Sequence, residues 1–217
     1  MEQFIMKKTL LGSLILLAFA TNAADPQVST ETSGKVTFFG KVVENTCQVS
    51  TGNRDMSVVL NDVGKNSLSA KGKTAMPTPF TIKLQNCNAN GATGNTNKAN
   101  KVGIYFYSWN NTDKDNNFTL KNEKMTNDYA TKVNIQIMEA DGTNQIEVVG
   151  KSVDDFTHKN NGSQNSDAVT KDHISGKTTL DNATSEYDLH FIAQYYATDV
   201  ATAGKVQSSV NFQIAYE

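Results

Sequence analysis

Histidine, cysteine and proline are all scarce in this chain of 217 residues, which contains three, two and three of them. His158 and His173 lie in polar stretches where a solvated imidazole is the default, and His190 lies within an alternating apolar run. No serine occupies a nucleophile-elbow motif, and neither HExxH nor a P-loop occurs, so the side-chain sets of the common hydrolases and nucleotide-binding proteins are missing. The nearest metal-like string, Asp113-Lys114-Asp115-Asn116-Asn117, begins like a calcium loop. It then has Phe118 where the turn glycine is needed and Lys124 where the bidentate acid belongs. Asp154 and Asp155 are adjacent, so on a regular element they point apart. The sequence therefore reads as non-enzymatic, with no catalytic residue, metal or cofactor expected.

A marked charge excess is missing too. The formal net charge is −2, which gives no electrostatic case for nucleic acid or anionic lipid. Long apolar runs are confined to the N-terminus, where Lys7 and Lys8 precede LLGSLILLAFA (10–20) and TNA (21–23). That order of basic, apolar and small residues is a secretory signal peptide over 1–23, and the run is too short to span a bilayer. Met6 is an alternative start. Cleavage after Ala23 removes Glu2, Lys7 and Lys8 and takes the charge to −3. The remaining chain of about 194 residues is enough for one β domain.

Cys47 and Cys87 both lie in the exported part, and an oxidising compartment favours a disulfide between them. Closing a loop of about 41 residues stabilises a fold by roughly 4 kcal/mol in the chain-entropy account. Two thiols with no nearby histidine or third cysteine fall short of a zinc set.

What the chain does have is short alternating runs rich in Val, Ile, Phe and Tyr. They are KVTFFGKVV (35–43), MSVVLNDV (56–63), PFTIKLQNC (79–87), KVGIYFYSW (101–109), KVNIQIME (132–139), NQIEVVG (144–150), YDLHFIAQYYA (187–197) and the C-terminal stretch 203–217. Two-residue alternation predicts strands with one buried face. Asp141-Gly142 predicts a hairpin, and Pro77 and Pro79 flank the start of the third run. No window has an apolar stripe at helical spacing; LSAKGKTA (68–75) allows one turn of helix at most. The list predicts an all-β antiparallel sandwich. Three long polar stretches, 88–100, 110–124 and 157–173, read as solvated surface loops, with surface display as the alternative. Asn117-Phe118-Thr119 and Asn182-Ala183-Thr184 match a glycosylation triplet that so Asn- and Thr-rich a chain produces by chance.

The two ends mirror one another. Residues 203–217 place Gly204, Val206, Ser208, Val210, Phe212, Ile214 and Tyr216 on one face, and the alternation runs to the last residue. Behind the signal peptide, Val28, Thr30, Thr32, Gly34, Val36 and Phe38 form a second alternating set, weakly apolar at first and strongly so at Val36 and Phe38. A terminal strand frays unless something pairs with it.

The run GKVTFFGKVV (34–43), the pair Cys47 and Cys87, Gly204 fourteenth from the end and the penultimate Tyr216 together resemble a pilin of the chaperone–usher (type 1 fimbrial) family across the whole mature chain. The resemblance implies an incomplete immunoglobulin-like β-sandwich, completed by a donor strand from a neighbouring subunit. Residues 24–39 would be the N-terminal donor-strand extension and 40–217 the pilin domain. Val28, Thr30, Thr32, Gly34, Val36 and Phe38 would form the donor strand; Gly204, Val206, Val210, Phe212, Ile214 and Tyr216 would form the strand bordering the groove. Gly34 would lie where the donor approaches the groove floor. Implied partners are identical subunits in a homopolymer, a periplasmic chaperone, an outer-membrane usher, and minor and tip pilins. The implied location is a cell-surface fimbrium reached through the periplasm. The function implied is the major structural subunit of an adhesive pilus; the alternative is a minor or tip pilin acting as a receptor-binding module. One domain plus an arm favours the shaft subunit.

The polar stretch 157–173 generates a first prediction. Added protease should cut it while the sandwich survives, as read by mass spectrometry of the fragments. Complete protection of this stretch in an assembled fibre would place it in a contact between subunits.

Overall fold

Alternation becomes burial most directly in YDLHFIAQYYA: Tyr187, Leu189, Phe191 and Ala193 are buried while Asp188 and His190 face solvent. The computed structural model describes residues 42–44, 46–88, 97–151 and 173–217, all within one compact unit, Phe39–Glu217. Their strands are β1 (Gln48–Val49), β2 (Thr74–Gln85), β3 (Lys101–Tyr107), β4 (Thr112–Asp113), β5 (Thr119–Lys121), β6 (Val133–Glu139), β7 (Gln145–Ile146), β8 (Ser175–Thr179), β9 (Tyr187–Ala197) and β10 (Asn211–Tyr216). One sheet has the order β1-β2-β9-β6-β5-β4, with β7 also paired to β6; the other has the order β10-β3-β8. Every ladder between these strands is antiparallel. No α-helix occurs among the described residues, so the predicted all-β sandwich is the observed class.

The two sheets share one core. Ile82 and Leu84 of β2, Ile104 and Phe106 of β3, and Leu189 and Phe191 of β9 join a single buried cluster. Phe106 meets Phe191 edge to face across the sandwich with ring centroids 5.1 Å apart. Full burial stabilises each such side chain by about 1.5–3 kcal/mol. A smaller cluster of Leu68, Ala130, Val133, Ala197 and Ala201 closes the other end.

Several expectations need correction. The third run does not start at Pro79: β2 begins at Thr74 and passes Pro77 in a register shift between Ala75 and Thr78, with Met76 at φ 55°, while Pro79 is laddered opposite Ile192. Near the prolines β2 pairs, among the described residues, only with β9, because β1 reaches no further than Leu84, and an edge left open there tolerates a missing N–H. The run 144–150 is laddered only at Gln145 and Ile146, after which Val149 bridges Tyr107 of the other sheet. Between β6 and β7, Asp141 accepts the N–H groups of Thr143 and Asn144, and Gly142 takes φ 67°, as the predicted hairpin requires. LSAKGKTA is not helical beyond its first residue; a 3-10 turn, Lys65–Leu68, ends there. Strand β8, SGKTT, carried no apolar alternation and was not anticipated.

The stretch 110–124 is the largest departure, since it holds β4 and β5 rather than a solvated loop. Thr119 and Leu120 are buried. Asn134 donates to Asp113 at 3.0 Å and to Thr119 at 2.9 Å, while Asn116 donates to Asp113 at 2.9 Å. The polar side chains that suggested hydration are bonded to one another inside the fold. Of the other two predicted loops, 89–96 and 157–172 lie outside the described residues, as do the signal peptide and the donor extension.

The C-terminal segment makes an isolated bridge before it enters the smaller sheet. Lys205 bridges Tyr129 through bonds from Lys205 N–H to Asp128 and from Ala130 N–H to Lys205, at 2.8 and 2.9 Å. Buried Asn122 donates to the carbonyls of Ala130 and Lys205 at 3.0 and 3.1 Å and accepts the Gln207 N–H at 3.0 Å. Four residues later the chain pairs with β3, from Asn211 opposite Tyr107 to Tyr216 opposite Val102. The ladder is thus shorter than the alternation 203–217, and Gly204, Val206 and Val210 precede it.

Gly204 sits at φ 153°, and a Cβ there would lie 2.4 Å from the Ala130 nitrogen and 2.5 Å from the Tyr129 carbonyl carbon. Only glycine fits so close a backbone crossing. Gly204→Ala should lower stability by about 1–3 kcal/mol through backbone strain before the clash is added, measured as the urea midpoint. An unchanged midpoint would show that the crossing relaxes without cost.

Candidate functional site

The register of β10 fixes which main-chain groups remain outside the sandwich. Glu217 and Lys101 exchange two bonds of 3.0 Å. In an antiparallel ladder such pairs alternate with non-bonded pairs, so Ala215, Gln213 and Asn211 also face β3. The N–H and C=O groups of Phe212, Ile214 and Tyr216 therefore point to the opposite edge, where no partner strand exists among the described residues. The side chains of these three residues point into the core cluster but are only partly buried. An edge of this kind is a template for one more strand.

A second open rail accompanies it. Residues 56–63, expected to be an ordinary strand, make no main-chain hydrogen bond among the described residues and enter no ladder. Their alternation is real: Met56, Val58 and Leu60 are partly buried, and Ser57, Val59 and Asn61 are exposed. Met56 packs against the large cluster and Val63 against the small one. Tyr216, Ile214, Phe212 and Val210 pack against the large cluster and Val206 against the small one. The two segments run in opposite chain directions past the same two clusters, each with backbone groups left to pair.

The closed end of this arrangement is covalent. Cys47 and Cys87 form the disulfide, at the start of β1 and just beyond β2. The Cys47 N–H donates to the Tyr216 hydroxyl at 2.6 Å. The penultimate tyrosine of one sheet is thereby tied to the disulfide of the other. Beyond it, the Glu217 main-chain oxygen accepts the N–H groups of Asn100 and Lys101 at 2.8 and 3.0 Å. Its side chain lies 3.3 Å from Lys177 and 3.9 Å from Lys101.

Of the residues singled out from sequence, Phe212, Ile214 and Tyr216 lie on the open edge, with Val210 just before it. Gly204 and Val206 belong to the crossing instead. Val28, Thr30, Thr32, Gly34, Val36 and Phe38 lie outside the described residues. Sequence reasoning missed Asn122, whose role depends on contacts 83 and 85 residues away. It also missed the bond between Tyr216 and Cys47, which nothing in the spacing signals. His190 is exposed and pairs with Thr81 on the outer surface at 3.0 Å.

The sequence profile described as Fimbrial protein matches residues 34–217. The chain belongs to the fimbrial protein family. It is 68% identical over 98% of its length to a major fimbrial subunit of Haemophilus influenzae, all of which is covered. To the F17 fimbrial protein of Escherichia coli it is 38% identical over 90% of its length, covering 93% of that protein. Among solved structures, a chain of a chaperone–usher pilus is similar with a TM-score of 0.56 at 22% identity, covering 89% of this chain and 100% of that one. The P pilus rod subunit PapA is similar with a TM-score of 0.54 at 20% identity, covering 79% and 99%. The fold is that of the pilus rod subunits, an incomplete immunoglobulin-like sandwich.

Tyr216 gives this fimbrial subunit a measurable alkaline signature. Burial pushes its phenol above the ordinary value of 10.0, with the Cys47 N–H pulling the other way. The folded state holds the proton more tightly, so this contribution is intact below pH 10 and is lost as pH rises through the folded value. Tyr216→Phe removes the acceptor for the Cys47 N–H and should cost about 1–2 kcal/mol at neutral pH. It should also flatten the alkaline fall of the urea midpoint relative to the parent protein. Parallel alkaline profiles would exclude Tyr216 as the titrating group.

Proposed function

We propose that this chain is the major structural subunit of an adhesive surface pilus, polymerised by donor-strand exchange. Residues 28–38 of one copy insert beside β10 of the next, and the mature chain reaches the surface through the periplasm. The observation that carries the reading is the outward-facing, unpartnered main chain of Phe212, Ile214 and Tyr216 above half-buried side chains. A strand laid there gains main-chain hydrogen bonds for affinity and side-chain pockets for register, the two components of strand addition. The opposed unpaired rail at residues 56–63 gives the inserted strand a second edge to meet. The role of the site is structural rather than catalytic.

An exposed edge of this kind aggregates unless it is covered. A periplasmic chaperone covers it first, and an outer-membrane usher is where the arm of the following subunit replaces the chaperone. Minor and tip pilins join through the same edge and arm. Repetition of one subunit makes the shaft, and the shaft carries the attachment function to the host surface.

The two ends separate by experiment. Removal of residues 204–217 should abolish chaperone capture, because the edge itself is lost. Deletion of residues 24–34 should spare capture and block polymerisation. Gly34→Leu should leave the chaperone complex intact and slow multimer growth through a clash at the closest approach of donor to groove. Co-purification with the chaperone reads the first step and SDS-resistant multimers read the second. Normal fibre assembly by the arm-deleted chain would overturn the donor-strand assignment.

A further inference from the structure

We propose that Asn53 is a positioning residue for strand exchange: its side-chain amide takes the place of a strand on the edge of β2 and so holds residues 56–63 out of the larger sheet, where an incoming strand can pair with them. The inference rests on the strand-exchange reading above and names the residue that keeps its second rail available. Antiparallel pairing of β1 with β2 runs through Gln48 opposite Gln85 and Val49 opposite Leu84, and the Ser50 N–H still donates to the Lys83 carbonyl at 2.9 Å. A complete pair would return a bond from the Lys83 N–H to Ser50. The Lys83 N–H donates instead to Asn53 Oδ1 at 3.2 Å, while the Ser50 carbonyl accepts the Asn53 N–H at 2.9 Å across a 3-10 turn, Thr51–Asn53. The ladder ends there.

The whole bonding capacity of the amide is engaged. Oδ1 also accepts the Ser50 hydroxyl at 2.8 Å, and Nδ2 donates to the Thr81 carbonyl at 3.1 Å and lies 3.8 Å from the Met56 sulfur. A carboxamide has no further donor or acceptor position to offer. Asn53 therefore covers Lys83 and Thr81, alternate residues facing the same edge of β2, and touches the first residue of the rail with the same group. The β2–β9 register is unbroken from Leu84 to Thr78, so Pro79 turns its nitrogen to that edge as well, and it has no N–H to give.

Without this arrangement the local sequence favours the opposite outcome. Residues 56–63 follow β1 after a single turn and carry a strand's alternation, with Met56, Val58 and Leu60 partly buried. Continuing along β2 would satisfy their main chain inside the subunit. The rail would then be lost to an incoming strand. Removing the Asn53 amide uncovers the Lys83 N–H and the Thr81 carbonyl to the segment that follows it in the chain. A proline at position 81 would close the same edge by another route, because proline is tolerated where its nitrogen faces away from the neighbouring strand.

The test follows donor uptake by the mature subunit, purified as its chaperone complex, on addition of a fluorescent peptide of residues 24–38. Asn53→Ala should slow peptide uptake by about tenfold or more, the effect of losing the main-chain bonds of one rail. Asp141→Ala, which opens the β6–β7 hairpin, serves as a stability control and should take up peptide at the parental rate. Adding Thr81→Pro to Asn53→Ala should restore uptake to within about twofold of the parent, because the edge is closed again. A purely structural Asn53 would lower the urea midpoint with no change in rate, and that result would overturn the proposal. So would a double variant as slow as Asn53→Ala. Asn53→Asp keeps the acceptor for Lys83 and Ser50 and loses both donors, so it reads the same step if the alanine variant yields no complex: its uptake should also fall, and a parental rate would overturn the proposal. Absence of uptake by the parent chain would instead remove the strand-exchange reading and this proposal with it.

Discussion

The structure depends on one crossing, where the C-terminal segment bridges Tyr129 before it joins the smaller sheet. Asn122 holds it by supplying, from a buried side chain, two donors and one acceptor to Ala130, Lys205 and Gln207. At such a site the side-chain amide substitutes for a ladder that the backbone cannot continue. Gly204 makes the crossing sterically possible, since any side chain there meets the backbone of Tyr129 and Ala130. After that point β10 has no freedom of register: Glu217 is bonded to Lys101 at one end and Asn211 is set opposite Tyr107 at the other.

Register in turn decides which half of the β10 backbone is left over. A slip of one residue would turn Phe212, Ile214 and Tyr216 outward and present Asn211, Gln213 and Ala215 to the core. The apolar alternation forbids this, and the Tyr216 bond to Cys47 reinforces the choice by joining the end of the strand to the disulfide. The disulfide therefore does more than shorten the unfolded chain. It fixes the floor at one end of the open slot.

The legible parts of the sequence were those whose meaning is local. Alternation in YDLHFIAQYYA identified β9 over Tyr187–Ala197, and Asp141-Gly142 identified its hairpin, because period and turn chemistry act over a few residues. Non-local meaning was not legible. In 110–124, asparagine and threonine read as hydration because their partners, Asn134 and Gln207, lie elsewhere in the chain. SGKTT became β8 by pairing with β3 rather than by propensity. Residues 56–63 show the opposite failure: their alternation is correct, yet no described strand pairs with them. The face was readable, and the missing neighbour was not. The edge residues Phe212, Ile214 and Tyr216 were readable for the same local reason, whereas the open edge follows from the topology.

An unfinished edge also explains why half-burial, rather than burial, is the state of these side chains. Full burial of a large apolar side chain contributes about 1.5–3 kcal/mol, so Val210, Phe212, Ile214 and Tyr216, all partly buried, each retain a fraction of that stabilisation unrealised. The free energy withheld from the isolated fold is available when a strand covers the slot. A sandwich closed by its own chain would be more stable alone and would have no corresponding gain on polymerising. Under the proposed strand exchange, stability of the subunit and strength of the fibre would thus be drawn from the same apolar surface beside β10.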